Sequence, residues 1–311
     1  MIKLPSPRRL TLVTNPGLCN LECKTCRVHS PFADASLFQS LGILPFAMVD
    51  RTLRDFADLG LDEIIPSTMG EPFLYPDFAK LLRLCAELGI CINVTTNGSF
   101  PGGGIDYWAL LLAPVLSDIK FSVPTLPTQQ QRANIQAYQY HKGEDSTTTL
   151  QMIVMESTLP SLEEWLQWAM DHGIDRVKFQ FLRVHFEALQ SESVLRSPES
   201  LARWHHKRER LEFLSQNKPI RLQFETEPAP DGITKNGVCP FLGKEAWILE
   251  DGEFQVCPHP LAWQGELGSF GNIQTTRLLE LWQGKYLQEF IHNWDSYTPP
   301  LCRNCDFRVQ S

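Results

Sequence analysis

Three cysteines fall within eight residues near the N-terminus, in the run Cys19-Asn-Leu-Glu-Cys23-Lys-Thr-Cys26. Their thiolates can hold three corners of a cubane iron–sulfur cluster. Such clusters are ordinarily held by four cysteines, so a tight set of three points to an iron kept open for another ligand. Two plainer readings compete. One is three unrelated thiols; the other is a zinc site, which wants four nitrogen or sulfur ligands and would recruit His29 as the fourth. Four more cysteines, Cys239, Cys257, Cys302 and Cys305, can close a second metal site completely. Cys257 ends a hairpin signalled by Asp251-Gly252, and Cys302-Arg-Asn-Cys305 is a CxxC knuckle. Structural zinc and an iron–sulfur cluster both suit four thiolates.

The elements that must position these residues alternate along the chain. Residues 10–14 read as a short strand leading straight into the first cysteine loop, which places that loop at the C-terminal end of a parallel sheet, where α/β proteins bind ligands. Helical apolar spacing follows over 48–59, then strand Glu63-Ile-Ile, a helix over 77–88 and a strand from Cys91 into Thr95-Thr96-Asn97-Gly98. Further pairs are predicted at 106–115 with Asp118–Val123, at 128–140 with 148–155, and at 161–172 with 176–181. Ser161 and Glu164 are spaced as a capping box for the last of these helices. A polar helix near 197–216 completes six strand–helix units, and its run Arg203 to Arg210 reads as a solvated face. Six alternations imply a parallel α/β sheet, open or closed. Residues 226–238 are rich in turn formers and read as a linker between domains at 1–225 and 239–311.

Composition narrows the function classes. A chain of 311 residues, 43% hydrophobic and 21% charged, has material for a sizeable soluble core. A net charge of −8 and a pI near 5.5 argue against general nucleic-acid binding, which needs a basic surface. No stretch approaches the ~18 apolar residues of a membrane span, and the start has no apolar signal region, so the expected location is cytoplasmic. There, nine cysteines serve as metal ligands before disulfides. Only Cys85 and Cys91 lie outside the patterned positions, both at apparent core sites.

The CxxxCxxC run resembles the signature of the radical S-adenosylmethionine (SAM) superfamily. The resemblance implies a 4Fe-4S cluster on Cys19, Cys23 and Cys26 whose open iron chelates the amino and carboxylate groups of SAM. Reductive cleavage would then release a 5′-deoxyadenosyl radical that abstracts a hydrogen atom. Met69-Gly70-Glu71-Pro72 is similar to the family's GGE element, with Met replacing the first Gly, which implies that Gly70 and Glu71 meet the SAM amino group. Turn chemistry before Gly98 competes with a SAM role for Thr96 and Asn97, and an ordinary strand serine competes with ribose binding by Ser122. Gln151, Lys178 and Gln180 are candidates for inward-facing positions. One departure stands out: Thr25 occupies the place before the third cysteine where many members carry an aromatic residue. For fold, the resemblance implies a partial (β/α)6 TIM-like barrel.

The tail resembles the SPASM and twitch groups. The order Cys239, Gly252, Cys257 and the later Cys302-Arg-Asn-Cys305 imply one fully ligated auxiliary 4Fe-4S cluster, since only six residues follow Cys305. In this respect it is similar to the 2-deoxy-scyllo-inosamine dehydrogenase type. Three functions follow as expectations. The first is maturation of a ribosomally made precursor peptide, including backbone excision or splicing, with a separate leader-peptide-binding protein and a flavodoxin or ferredoxin as electron donor. The second is dehydrogenation of an aminocyclitol or sugar, with the auxiliary cluster taking an electron; the third is a non-catalytic metal-binding scaffold. No fused leader-recognition domain is expected ahead of residue 10. A radical epimerase ranks lower, because its hydrogen donor would have to be Cys85 or Cys91.

Overall fold

The computed structural model describes all residues except 1–3, 35, 37–40, 67–68, 124–126, 228–236, 295, 304, 306 and 309–311. Strand–helix alternation runs β1 (Arg9–Leu12), α1 (Phe46–Ala57), β2 (Glu63–Pro66), α2 (Phe78–Leu88), β3 (Cys91–Thr96), α3 (Gly104–Leu112) and β4 (Leu116–Val123). It continues with α4 (Gln129–His141), β5 (Thr147–Val154), α5 (Leu162–Asp171), β6 (Arg176–Phe181), α6 (Pro198–Ser215) and β7 (Arg221–Phe224). These seven strands lie side by side in chain order, every neighbouring pair parallel. The order is that of a partial TIM-like barrel. A seventh parallel strand goes beyond the six expected: Arg-Leu-Gln-Phe alternates too briefly to stand out beside the polar tail of α6.

The strand pleat sorts the two faces. On β6, Val177, Phe179 and Phe181 are buried, and Trp204 of α6 covers Phe179 and Phe181 at ring distances of 6.1 and 6.0 Å. The alternate residues Arg176, Lys178 and Gln180 point into the barrel. Near the N-terminal ends of the strands this interior is polar and internally paired. Asp118 takes the Thr149 hydroxyl at 2.9 Å, meets the Lys120 ammonium at 3.1 Å and pairs with Arg176. The basic run of α6 does face solvent and acids, with Lys207–Glu163 at 2.6 Å and Arg203–Glu156 at 2.7 Å.

The C-terminal segment contributes β8 (Glu245–Ile248), β9 (Phe254–Gln255), α7 (Leu278–Trp282), α8 (Lys285–His292) and α9 (Pro300–Arg303). β8 pairs with β1, in parallel, and β9 adds antiparallel to β8, so one sheet runs through both halves of the chain. Arg9 ties the joint, reaching Glu63 of β2 at 2.6 Å and Glu245 of β8 at 3.5 Å. Of the expected linker 226–238, residues 228–236 lie outside the described residues.

Two local expectations need correction. Ser161 makes no capping hydrogen bond to α5; its hydroxyl donates to the Thr158 carbonyl at 3.0 Å, because a 3-10 turn over Leu159–Ser161 leads into the helix. A capping box does form, but at α4, between Thr128 and Gln131. Cys85 is buried as expected, whereas Cys91 is exposed, because it is the first residue of β3, at the strand's N-terminal end. Neither thiol lines the site described next.

Candidate functional site

β1 ends in a buried stretch, Val13-Thr14-Asn15, and the chain then turns through the CxxxCxxC loop above the C-terminal ends of the strands. The loop is closed by the Cys26 amide on the Cys23 carbonyl at 2.9 Å. The His29 amide donates to Cys26 Sγ at 3.3 Å, and Asn97 Nδ2 lies 3.9 Å from Cys19 Sγ. Burial chiefly, then the neighbouring Cys19 and Cys26 thiols, pushes Cys23 up to about 11. Iron ligation reverses this, since a coordinating thiol is deprotonated outright. His29 is engaged elsewhere, its Nε2 on the Pro16 carbonyl at 2.8 Å, which weakens its claim as a zinc ligand.

The Met69–Pro72 segment docks against this loop. The Glu71 amide donates to the Leu18 carbonyl at 2.8 Å, and Asn15 Nδ2 donates to the Glu71 carbonyl at 2.8 Å. Gly70 permits the approach: a Cβ there would stand 2.0 Å from the Asn15 carbonyl oxygen and 2.8 Å from that of Leu18. The Glu71 side chain is buried and already bonded. It accepts from the Thr96 hydroxyl at 2.8 Å, the Asn97 amide at 2.8 Å and the Phe73 amide at 3.3 Å. Burial raises its carboxyl to about 7 against the pull of those three donors. Glu71 and Thr96 thus brace the end of β3. Asn97 carries the brace onward, donating from Nδ2 to Asn20 Oδ1 at 2.9 Å.

These parts surround an open cavity of about 660 Å³. The cluster cysteines, Gly70, Glu71, Thr96, Asn97 and Ser122 all line it, so the residues picked from the N-terminal half come together. Sequence reasoning missed the opposite wall. Glu250, Asp251, Pro258, Pro260 and Trp263 enter because β8, lying beside β1, delivers its hairpin turn to the cavity. His185, after β6, was also missed, and burial with nearby Arg27 and Arg183 lowers its pKa. Trp263 supplies a large aromatic surface to a cavity in which Thr25 stands ahead of the third cysteine.

The four later cysteines line a second, small apolar cavity together with Phe241, Leu242, Phe290, Trp294 and Phe307. Burial, then the neighbouring thiols, pushes Cys257 and Cys302 up to about 12. Four thiols gathered in apolar surroundings fit a cluster, whose ligands sit on different irons. Among the described residues no three His, Cys, Asp or Glu side chains converge as they would on a single ion. The amides of His259 and Phe307 donate to Cys257 and Cys305 Sγ, both at 3.4 Å, bonds of the kind that tune a cluster's potential. The two cavities are adjacent: Cys257 lines the second, while Pro258 and Pro260 line the first. Trp263 joins them, its indole N–H on the Cys257 carbonyl at 2.7 Å.

Comparison with known proteins agrees with this arrangement. The family model of the radical SAM superfamily matches residues 16–175, and that of the SPASM iron–sulfur cluster-binding domain matches residues 239–306. No curated protein matches the chain. The fold is similar to Streptococcus suis SuiB bound to S-adenosylmethionine, with TM-score 0.69 and 18% identity over 99% of this chain and 74% of that one. SuiB bound to the precursor peptide SuiA gives 0.68 and 17%, over 99% and 72%. For anSMEcpe with bound AdoMet the values are 0.66 and 16%, over 96% and 84%. At such identities the likeness is one of fold. Among the described residues no helix is long and apolar enough to cross a membrane.

Proposed function

This chain belongs to the radical SAM superfamily, and from that premise we propose that it modifies a ribosomally made precursor peptide. It is an enzyme whose cofactors are SAM, the 4Fe-4S cluster that binds it and an auxiliary iron–sulfur cluster. When bound, these supply a 5′-deoxyadenosyl radical that removes a hydrogen atom from the substrate. The chain's own part is to hold and orient. Cys19, Cys23 and Cys26 would ligate the first cluster, and Cys239, Cys257, Cys302 and Cys305 the second. Gly70 and the Glu71–Thr96–Asn97 brace would fix the floor on which SAM lies, with Ser122 offering its hydroxyl to the ribose. Glu71 and Thr96 act here through the backbone they hold, because their side-chain groups are already bonded to each other.

Similarity to solved peptide complexes carries the peptide reading: SuiB is described with its precursor peptide SuiA and anSMEcpe with the Cp18Cys peptide. A cavity of about 660 Å³ by itself suits a small molecule and a peptide side chain equally. We further propose that a separate protein presents the leader peptide and that a flavodoxin or ferredoxin supplies the electron. The adjacency of the two cavities suits an auxiliary cluster that takes an electron from the substrate radical.

The test is anaerobic turnover of the reconstituted protein with SAM, reductant and short peptides encoded beside its gene. A changed peptide mass formed in step with 5′-deoxyadenosine supports the proposal. Product from an aminocyclitol, with none from the peptides, overturns it.

A further inference from the structure

Among the described residues, the cavity lined by the four later cysteines has one charged side chain besides its thiols, that of Arg308. No carboxylate shares the described wall, and the rest of it is apolar, with Val256, Leu267, Phe290, Trp294 and Phe307 around the cysteines. Arg308 is fastened on two sides. Its amide donates to the Cys305 carbonyl at 3.3 Å, and its Nε donates to the Gly237 carbonyl at 2.9 Å, two residues ahead of Cys239. The side chain therefore bridges the two ends of the segment that carries the four cysteines. Its charge reaches the thiols: burial, then Cys257, Cys305 and Cys239, raise Cys302, and Arg308 alone pulls it down.

Net charge, hydrogen bonds to sulfur and solvent exposure set the potential of an iron–sulfur cluster. Four thiolates make the whole assembly negative in either oxidation state, and reduction adds one more negative charge. Apolar surroundings oppose that addition, because a low dielectric stabilises ions poorly. In the same surroundings a neighbouring cation acts strongly, for want of water to screen it. The amides of His259 and Phe307 on Cys257 and Cys305 Sγ pull in the same direction, but as dipoles they carry no net charge. Arg308 supplies the one full positive charge on the described wall.

We propose that Arg308 raises the reduction potential of the auxiliary cluster, which makes this site a better electron acceptor than its four thiolates and apolar wall would give alone. The inference rests on the reading of Cys239, Cys257, Cys302 and Cys305 as the cluster's ligands. Arg308 ligates no iron here. It acts through the field that its guanidinium places on the thiolates.

The test is an anaerobic redox titration of the reconstituted full chain, followed by electron paramagnetic resonance. The Cys19/Cys23/Cys26→Ala form isolates the second cluster, and iron content checks that each Arg308 variant still holds it. Arg308→Gln keeps a donor for the Gly237 carbonyl and removes the charge. It is expected to shift the reduced-to-oxidised ratio at a fixed potential about tenfold toward the oxidised form, a fall of about 59 mV for a one-electron couple. Arg308→Lys, which keeps the charge, is expected to restore most of that shift. With Cys19, Cys23 and Cys26 in place, the first cluster is the internal control, and its potential should not move. Full iron content with an unchanged potential in Arg308→Gln overturns the proposal. So does a lysine variant that behaves like the glutamine one, because the shift would then come from the Gly237 clamp and not from charge. Zinc in place of iron at the second site, or no loss of iron in Cys257→Ala, removes the ligand reading and the proposal with it.

Discussion

Replacing Gly70 by alanine adds a single methyl group where the structure leaves no room. The new Cβ would meet the Asn15 carbonyl oxygen at 2.0 Å and that of Leu18 at 2.8 Å, both backbone atoms that cannot rotate away. The Met69–Pro72 segment must therefore lift from the cluster loop. Two hydrogen bonds hold it there, Glu71 N–H to Leu18 and Asn15 Nδ2 to the Glu71 carbonyl, each 2.8 Å long. Losing them costs about 1 kcal/mol apiece, and the overpacking adds about 1–3 kcal/mol. A total near 3–5 kcal/mol corresponds to a fall of about 5–10 °C in the melting temperature of a chain of this size. Because the segment and the cysteine loop share these bonds, SAM affinity should fall with stability. Gly60→Ala is the control: Gly60 has φ +84° but nothing within 4 Å of a Cβ, so it carries only left-handed strain of about 1 kcal/mol. Calorimetry of the reconstituted proteins with SAM titration decides the matter. A Gly70→Ala melting point within about 2 °C of wild type would refute the close approach.

Iron content tests both clusters: anaerobic reconstitution should give about eight irons, falling to about four in Cys19/Cys23/Cys26→Ala and likewise in Cys257→Ala. About four irons plus one zinc in the wild type would make the second site structural zinc. Glu71 sets a pH dependence. Its folded carboxyl is raised from 4.5 to about 7, so the folded state keeps a proton that the unfolded chain releases, and stability falls as pH rises through that window. Glu71→Gln should remove that slope, worth about 3 kcal/mol, from urea midpoints between pH 5 and 8, and the same slope in both proteins would rule Glu71 out as its source. Arg9→Met should leave Glu63 and Glu245 half-buried and unpaired, lowering stability by about 2 kcal/mol after allowance for solvent screening. Unfolding midpoints check this, and no change would mean that β8 is held to β1 by its ladder alone.

The cysteine sets and the alternation of strands and helices were legible in the sequence because each is local. Thiols within eight residues share a loop whatever else the chain does, and a pleat or a helical turn prints its period on its own residues. For the same reason Gly70, Glu71, Thr96, Asn97 and Ser122 could be picked singly from strand ends. Their mutual bonding could not: the Thr96 hydroxyl donates to Glu71 across 25 residues, a contact only the folded sheet brings about. The missed wall of the cavity has the same cause. Nothing near Glu250 or Trp263 says that β8 will lie beside β1, a pairing that joins Arg9 to Glu245 across 236 residues. Register added the last pairing. The packed barrel brings Arg176 of β6 to Asp118 of β4 across 58 residues, a partner for a buried charge that comes from another strand rather than from a neighbouring residue.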